Sequence, residues 1–172
     1  MLKNGDRLRL KNKFIVDKHS IGGIPGRTSP IIVSICAAAG LIFPKTSSRA
    51  ITTASGTADA MEVLARVEFS MQELKKIIQK TNAFIVWSGG LSMGPADSKI
   101  IQIEKMLGID PEAQLLASIM SKKLAVGSNY ILIDIPYGKT AKVNKEKALR
   151  LKGKFEYLGR HFNKKMKVIL TE

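Results

Sequence analysis

The run Tyr130-Ile131-Leu132-Ile133-Asp134-Ile135 constrains the fold more than any other segment of this chain. So continuous an apolar run reads as a strand buried on both faces, the usual state of a parallel sheet covered by helices. The rest of the sequence alternates accordingly. Phe14-Ile15-Val16, Ile42-Phe43, Ala83-Phe84-Ile85-Val86-Trp87 and Met166-Lys167-Val168-Ile169-Leu170 read as further strands, the second ended by Pro44. Helical spacing separates them: residues 28–41, Thr57 to Val67 with Thr57 or Ser55 as cap, residues 70–81, and a last helix capped by Asn144 with Ala148, Leu151, Phe155, Leu158 and Phe162 as its core stripe. Two more helices lie between Trp87 and Tyr130. The first presents Ile100, Ile103, Met106 and Leu107; the second starts at Asp110-Pro111 and ends at Gly127. No strand separates this pair, so it is expected to leave the sheet as a lobe. The expected class is α/β, a mostly parallel sheet with flanking helices.

Composition narrows the functional classes. Across 172 residues, 45% hydrophobic content and a mean hydropathy of +0.02 describe a globular chain. No apolar run reaches the ~18 residues of a membrane span. The first residues lack the hydrophobic region of a signal peptide, so a cytoplasmic setting is expected. Cys36 is the one cysteine, which excludes an internal disulfide. With two histidines and one cysteine far apart there is no metal-ligand spacing, and neither metal nor cofactor is expected. A net charge of +14 draws anions without choosing among nucleic acid, phosphate and nucleotide. The lysines and arginines of the last third read as a solvated helix face. A nucleic-acid-binding module ranks low, because aromatics are only 6% and none interleaves a basic motif.

Two loops carry anion chemistry. Asp17-Lys18-His19-Ser20-Ile21-Gly22-Gly23 follows the first strand. There Gly22, Gly23 and Gly26 allow a close backbone approach, while Lys18, Ser20, Thr28 and Ser29 supply donors beside a helix start. It is not a Walker A loop, since Arg27 replaces the lysine, and an ordinary glycine-rich turn reads equally well. The second loop, residues 45–57, holds seven hydroxyl side chains and Arg49. Loops at the carboxyl ends of neighbouring parallel strands face one crevice, so the pair suits a substrate with two phosphates.

At these residues a family resemblance becomes specific. DKHSIGGIPG at 17–26 resembles the signature of the thymidine and pyrimidine-nucleoside phosphorylase family. PKTSSRAITTASGT at 44–57 is similar to its archaeal AMP phosphorylase branch, as are Pro95-Ala96-Asp97, IDPEAQLLASIMSKK at 109–123 and Ile133-Asp134-Ile135-Pro136. The resemblance implies an α/β domain over residues 1–94 and 127–172, a helical-domain segment over 95–126, and a central fragment of a longer enzyme. The thymidine enzymes have a glycine-rich second loop with a histidine, where this chain has Ala50, Thr52, Thr53 and Ala54. They also carry a base-binding arginine whose place here is assigned to Ile103.

By the same resemblance Asp110 is the proton donor to the leaving base, although Asp before Pro is equally an N-cap. Gly22, Ser48, Arg49, Ala50, Ile51, Thr52, Thr53, Thr57, Ser118 and Lys142 match nucleotide-binding positions. Lys18, Ser20, Ser29 and Ser47 match positions that contact the attacking phosphate, with His19 at the sugar and Lys122 beside them. The implied reaction is phosphorolysis of AMP, with CMP or UMP as other substrates, to free base and ribose 1,5-bisphosphate. The implied partners are a nucleoside monophosphate and inorganic phosphate, with homo-oligomers at full length. Thymidine phosphorolysis is the alternative.

Overall fold

The computed structural model describes residues 2–8, 10, 14–22, 28–50, 56–91 and 95–172. Its strands are β1 (Val16–Ser20), β2 (Phe43–Ser47), β3 (Ala83–Trp87), β4 (Tyr130–Pro136) and β5 (Lys165–Thr171). Its helices are α1 (Ser29–Ala38), α2 (Thr57–Glu62), α3 (Met71–Thr81), α4 (Pro95–Leu107), α5 (Glu112–Ala125) and α6 (Lys145–His161). β1 pairs with β4, β4 with β5, and β2 with β3, all parallel. The bridge Ile15–Ile42 joins the two sheets, so the order across the molecule is β3-β2-β1-β4-β5. The mostly parallel α/β class is therefore the fold. Connections run outward from the centre in both directions, and such an order opens a crevice at the carboxyl ends of the central strands.

Two strand readings need correction, and both bear on that crevice. Asp17 to Ser20 do not follow the first strand; they are the strand. Pro44 does not end the second strand, which continues to Ser47. Backbone hydrogen bonds explain the tolerance. The Ile42 amide donates to Phe14 O on β1's side at 3.1 Å, and the Phe43 amide donates to Asn82 O on β3's side at 2.8 Å. Alternation then aims the next amide at β1 again, and there proline has none to offer. The β1–β2 ladder stops at this point and the sheet parts. Lys45 Nζ spans the gap, donating to Lys18 O at 2.8 Å.

One cluster under β2 and β3 is filled by Ile15, Ile42, Phe84, Val86 and the α3 residues Leu74 and Ile78. A second, under β4 and β5, holds Ile133, Ile135 and Val168 with Ala148, Leu151 and Phe155 of α6. α5 serves both, with Ile119 and Met120 in the second cluster and Ala125 in the first. α4 reverses expectation. Its apolar face of Ile100, Ile103, Met106 and Leu107 is solvent-exposed, and its buried residues are Asp97 and Glu104, seven apart on one stripe.

The caps follow local chemistry. Ser70 and Glu73 form a reciprocal capping box on α3, and Asn144 Oδ1 accepts from the Lys147 amide on α6. Gly56, not Thr57 or Ser55, is the cap residue of α2. α1 ends short of residue 41, where Gly40 at φ +81 closes the turn. The basic side chains of α6 are exposed or half-buried, as a solvated face requires.

On α6, Gly159 sits where an added Cβ would lie 2.8 Å from Met166 Cβ, whereas Gly153 has no neighbour within 4 Å. Gly159→Ala is expected to cost about 1–3 kcal/mol through overpacking, and Gly153→Ala to gain up to about 1 kcal/mol through helix propensity. Urea unfolding of the two variants reads the opposite signs.

Candidate functional site

The crevice is walled on one side by the ends of β1 and β2 and the start of α2, and on the other by α4 and α5. Along β1 the side chains alternate. Lys18 donates to Ser20 Oγ and, at 3.2 Å, to Thr28 Oγ1. Ser20 donates to Asp134 Oδ2 at 2.8 Å, and Thr171 donates to Asp134 Oδ1 at 2.7 Å. Ser20 and Asp134 are register partners on β1 and β4, so the sheet ladder itself orients this hydroxyl.

Asp17 and His19 lie on the other face of β1. The Asp17 carboxylate, wholly buried, sits 2.8 Å from Lys123 Nζ and 3.8 Å from Lys45 Nζ. Burial, with Lys123 as a neighbouring cation, pulls Lys45 down to about 7 against the attraction of Asp17. His19 is held well below its ordinary value, first by burial and then by Lys45, Lys123, Lys122 and Lys18. Its imidazole is therefore neutral at physiological pH and can both donate and accept.

The second loop is pinned from α2. Asp59 Oδ2 accepts from the Ala50 amide at 2.9 Å and the Gly56 amide at 2.7 Å. A Cβ at Gly56 would lie 2.4 Å from Ser48 O, so the close pass of the loop requires glycine there. Arg49 lines the crevice, but its guanidinium is engaged by Asp59, Glu62 and Glu68 and lies 4.5 Å over the Trp87 ring. Ser88 donates to Ser47 O at 3.0 Å, tying β2's end to the residues after β3.

On the opposite wall Asp97 is a hub. Its carboxylate accepts from Lys122 at 2.6 Å, Ser118 at 3.1 Å and Gln114 at 3.3 Å. The three partners recur every fourth residue along α5, one stripe facing α4. Burial lowers Lys122, opposed by Asp97. Asp110 is paired with Lys142, which reaches over from the segment after β4. Asp110 does not cap α5; Pro111 holds the cap position and makes no side-chain cap bond.

Residues 12–154 match the family described as "Glycosyl transferase family, a/b domain". The chain belongs to that family. It is 51% identical over 174 residues to a "Putative thymidine phosphorylase" of Nitrobacter hamburgensis, covering 100% of this chain and 34% of that protein. It is also 51% identical over 173 residues to an "AMP phosphorylase" of Pyrococcus furiosus, covering 99% of this chain and again 34% of the relative. The chain thus spans about a third of the length of these curated relatives. Among solved structures, anthranilate phosphoribosyltransferase from Saccharomyces cerevisiae in complex with PRPP and Mg aligns with 98% of this chain and 44% of its own at TM-score 0.66. At 18% identity that match speaks for the fold alone.

Within this glycosyl transferase a/b domain most of the expected positions meet. His19 and Ser20 from β1 and Gly22 just after it, with Ser47 at the end of β2 and Ser48 and Ala50 beyond it, form one wall together with Thr57. Asp110, Ser118, Lys122 and Lys142 face them. Lys18 and Ser29 are buried behind the wall, and Lys18 acts on it through Ser20. Ile51, Thr52 and Thr53 lie outside the described residues. Ile103 does not face the crevice, being 55% exposed; the α4 residue that does is Glu104.

Residue-by-residue reading missed Asp17, Lys45 and Lys123 beneath the floor, and Asp97, Glu104 and Gln114 in the far wall. The polar stripe Gln114, Ser118, Lys122 on an otherwise apolar helix was the available signal. Among the described residues there is no group of three or more metal-binding side chains, and no helix long and apolar enough to cross a membrane.

Replacing Asp17 by Asn leaves Lys123, and Lys45 wherever it is protonated, without a counter-charge. It is expected to cost about 3–5 kcal/mol, measured by denaturant unfolding. Lys45 also predicts a pH signature. It holds its proton only to about 7 in the fold, against 10.5 for an ordinary lysine. Between these values the unfolded chain binds more protons, so rising pH favours the fold. The thermal midpoint relative to Lys45→Met should climb as pH goes from about 7 to about 10.

Proposed function

We propose that this chain is the nucleotide-binding core of a pentosyl phosphorylase that cleaves the N-glycosidic bond of AMP with inorganic phosphate. The products are free base and ribose 1,5-bisphosphate, and CMP and UMP are further substrates. The observation that carries the reading is the division of one crevice into two chemistries. Its β1–β2 end presents Ser20, Ser47 and Thr57 hydroxyls over buried lysines and a neutral His19, which suits phosphates. Its α4–α5 wall carries carboxyl groups and the apolar Leu115 and Ile119, which suit a base, beside Lys122 and Lys142, which can meet a ribose phosphate. A nucleoside monophosphate and phosphate together need both ends.

Asp110 stands as proton donor to the leaving base, which departs more easily once protonated. Lys142 pairs with Asp110 at the crevice wall. A nucleotide phosphate that draws Lys142 to itself turns the carboxyl toward the base, so substrate binding readies the donor. Ser118 and Lys122, braced by Asp97, are placed for the ribose and its phosphate. Residues 95–126 act as the helical-domain segment, and residues 1–94 and 127–172 as the α/β domain. The protein works in the cytoplasm as a homo-oligomer.

Thymidine phosphorolysis is the second reading, because a relative of that name is as similar as the AMP phosphorylase. Glu104 weighs against it, since the α4 residue facing the crevice is an acid and not the arginine of the thymidine enzymes. Phosphate-dependent release of adenine from AMP without thymidine turnover is the expected result. Turnover of thymidine but not AMP would reverse the choice. Asp110→Asn should lower kcat for AMP by about 10²–10⁴-fold, the usual worth of a general acid.

A further inference from the structure

Arg49 lines the crevice, and an arginine beside a phosphate site is ordinarily read as a ligand for it. Its bonds say otherwise. Nη2 donates to Glu62 Oε1 at 2.8 Å and to Glu68 Oε1 at 3.4 Å, while Nη1 donates to Asp59 Oδ1 at 3.2 Å and also to Glu62 Oε2. The fork on Glu62 is bidentate, which fixes the plane of the guanidinium as well as its position. The guanidinium carbon lies 4.5 Å from the centre of the Trp87 ring. That ring is seated against the next turn of chain, since a Cβ at Gly89 would come within 2.5 Å of Trp87 Cζ2. Three carboxylates around one guanidinium leave an excess of negative charge at this spot, which opposes a phosphate. Asp59 does further work here. It also accepts from the amides of Ala50 at 2.9 Å and Gly56 at 2.7 Å, so Arg49 and both ends of the second loop share one carboxylate. Ser47, Ser48 and Thr57, the hydroxyls of this wall, lie just outside those ends.

We propose that Arg49 is a positioning residue: clamped by Asp59 and Glu62 of α2, by Glu68 and by the Trp87 ring, it holds Ser47, Ser48 and Thr57 toward a phosphate and does not itself bind one. This rests on the phosphorylase reading above. To reach a phosphate the guanidinium would have to give up four hydrogen bonds and its ring contact. The clamp instead spends the arginine on geometry. It fastens the start of the second loop to α2 on one side and to the end of β3 on the other. Positive charge for the phosphate comes from the buried lysines beneath β1 and β2.

Trp87 is the only tryptophan in the sequence, so its fluorescence reports the clamp directly. Calorimetric titration with AMP and with inorganic phosphate, alongside acrylamide quenching of Trp87, tests the assignment. In the wild type, quenching should be the same with and without saturating AMP, because Arg49 stays on the ring. Glu62→Gln removes an acid near an anion site and by charge alone should tighten binding. The clamp predicts the opposite, a loss of about tenfold for both ligands with Trp87 more open to the quencher. Gly89→Ala changes no charge and should have the same two effects by displacing the ring. Arg49→Lys keeps the charge but loses the fork, so it should bind as poorly as Glu62→Gln. Glu62 is exposed, so Glu62→Gln keeps the test open should Gly89→Ala fail to fold. Wild-type affinity in Arg49→Lys would overturn the proposal, since it marks a charge that the phosphate feels directly. So would tighter binding by Glu62→Gln, or a wild-type Trp87 that opens to the quencher when AMP binds. Affinity lost in the variants with Trp87 quenching unchanged would overturn it as well, because the loss then has another structural cause. A wild type that binds neither AMP nor phosphate would remove the phosphorylase reading and this role with it, a result distinct from binding that the variants leave intact, which sinks the role alone.

Discussion

The buried carboxylate of Asp17, held between Lys123 and Lys45, is the contact on which the rest of the structure depends. It joins β1 to β2 where Pro44 has ended their ladder, and joins both to the C-terminal half of α5. Without it the parted sheets would be linked by the Ile15–Ile42 bridge and the Lys45 bond to Lys18 O, and Lys123 and Lys45 would lose their counter-charge. Buried ion pairs of this sort contribute little net stability beside well-packed apolar groups, but breaking one is severe. Here the arrangement specifies geometry. It places His19, two residues along β1, at the β1–β2 wall of the crevice with its imidazole neutral.

Charge in this protein is sorted by burial rather than by amount. The basic α6 carries six lysines and arginines against two glutamates, yet its side chains are solvated and largely screened. The lysines that shape the crevice are Lys18, Lys45, Lys122 and Lys123, all buried, each with a carboxylate or hydroxyl partner from outside its own element. The acids are sorted too: Asp17 and Asp134 support the β1–β2 wall, while Glu104 and Asp110 line the opposite wall and Asp97 braces it from behind. A dipolar crevice of this design orients an amphoteric ligand before any specific contact forms.

Much of this was legible one element at a time. Ala83–Trp87 and Tyr130–Ile135 read as strands because their apolar runs are buried by helices on either side. α3 and α6 announced themselves through Ser70 and Asn144, whose side chains cap locally. The motif around Asp17 was visible as chemistry but misplaced as structure. Four consecutive polar residues look like a loop when read locally, and only partners more than a hundred residues away, Lys123 and Asp134, allow them to be a buried strand. α4 failed for the complementary reason. Its apolar stripe promised a core face, whereas Asp97 and Glu104 turn inward because Lys122, Ser118 and Gln114 arrive from α5 to meet Asp97.

The sequence by itself therefore determined the α/β class, the alternation of strand and helix, and the residue types that meet at the crevice. The first two depend on hydrophobic periodicity and local capping, which a chain carries wherever it goes, and the third on motifs that resemble those of a known family. Only the tertiary structure decided which face of each element turns inward. It made Asp17 the floor instead of the loop, set Glu104 and not Ile103 against the crevice, and paired Asp110 with Lys142 rather than with its own helix. The reason is physical: burying a charge is favourable only when its partner is buried with it, and that partner lies elsewhere in the chain.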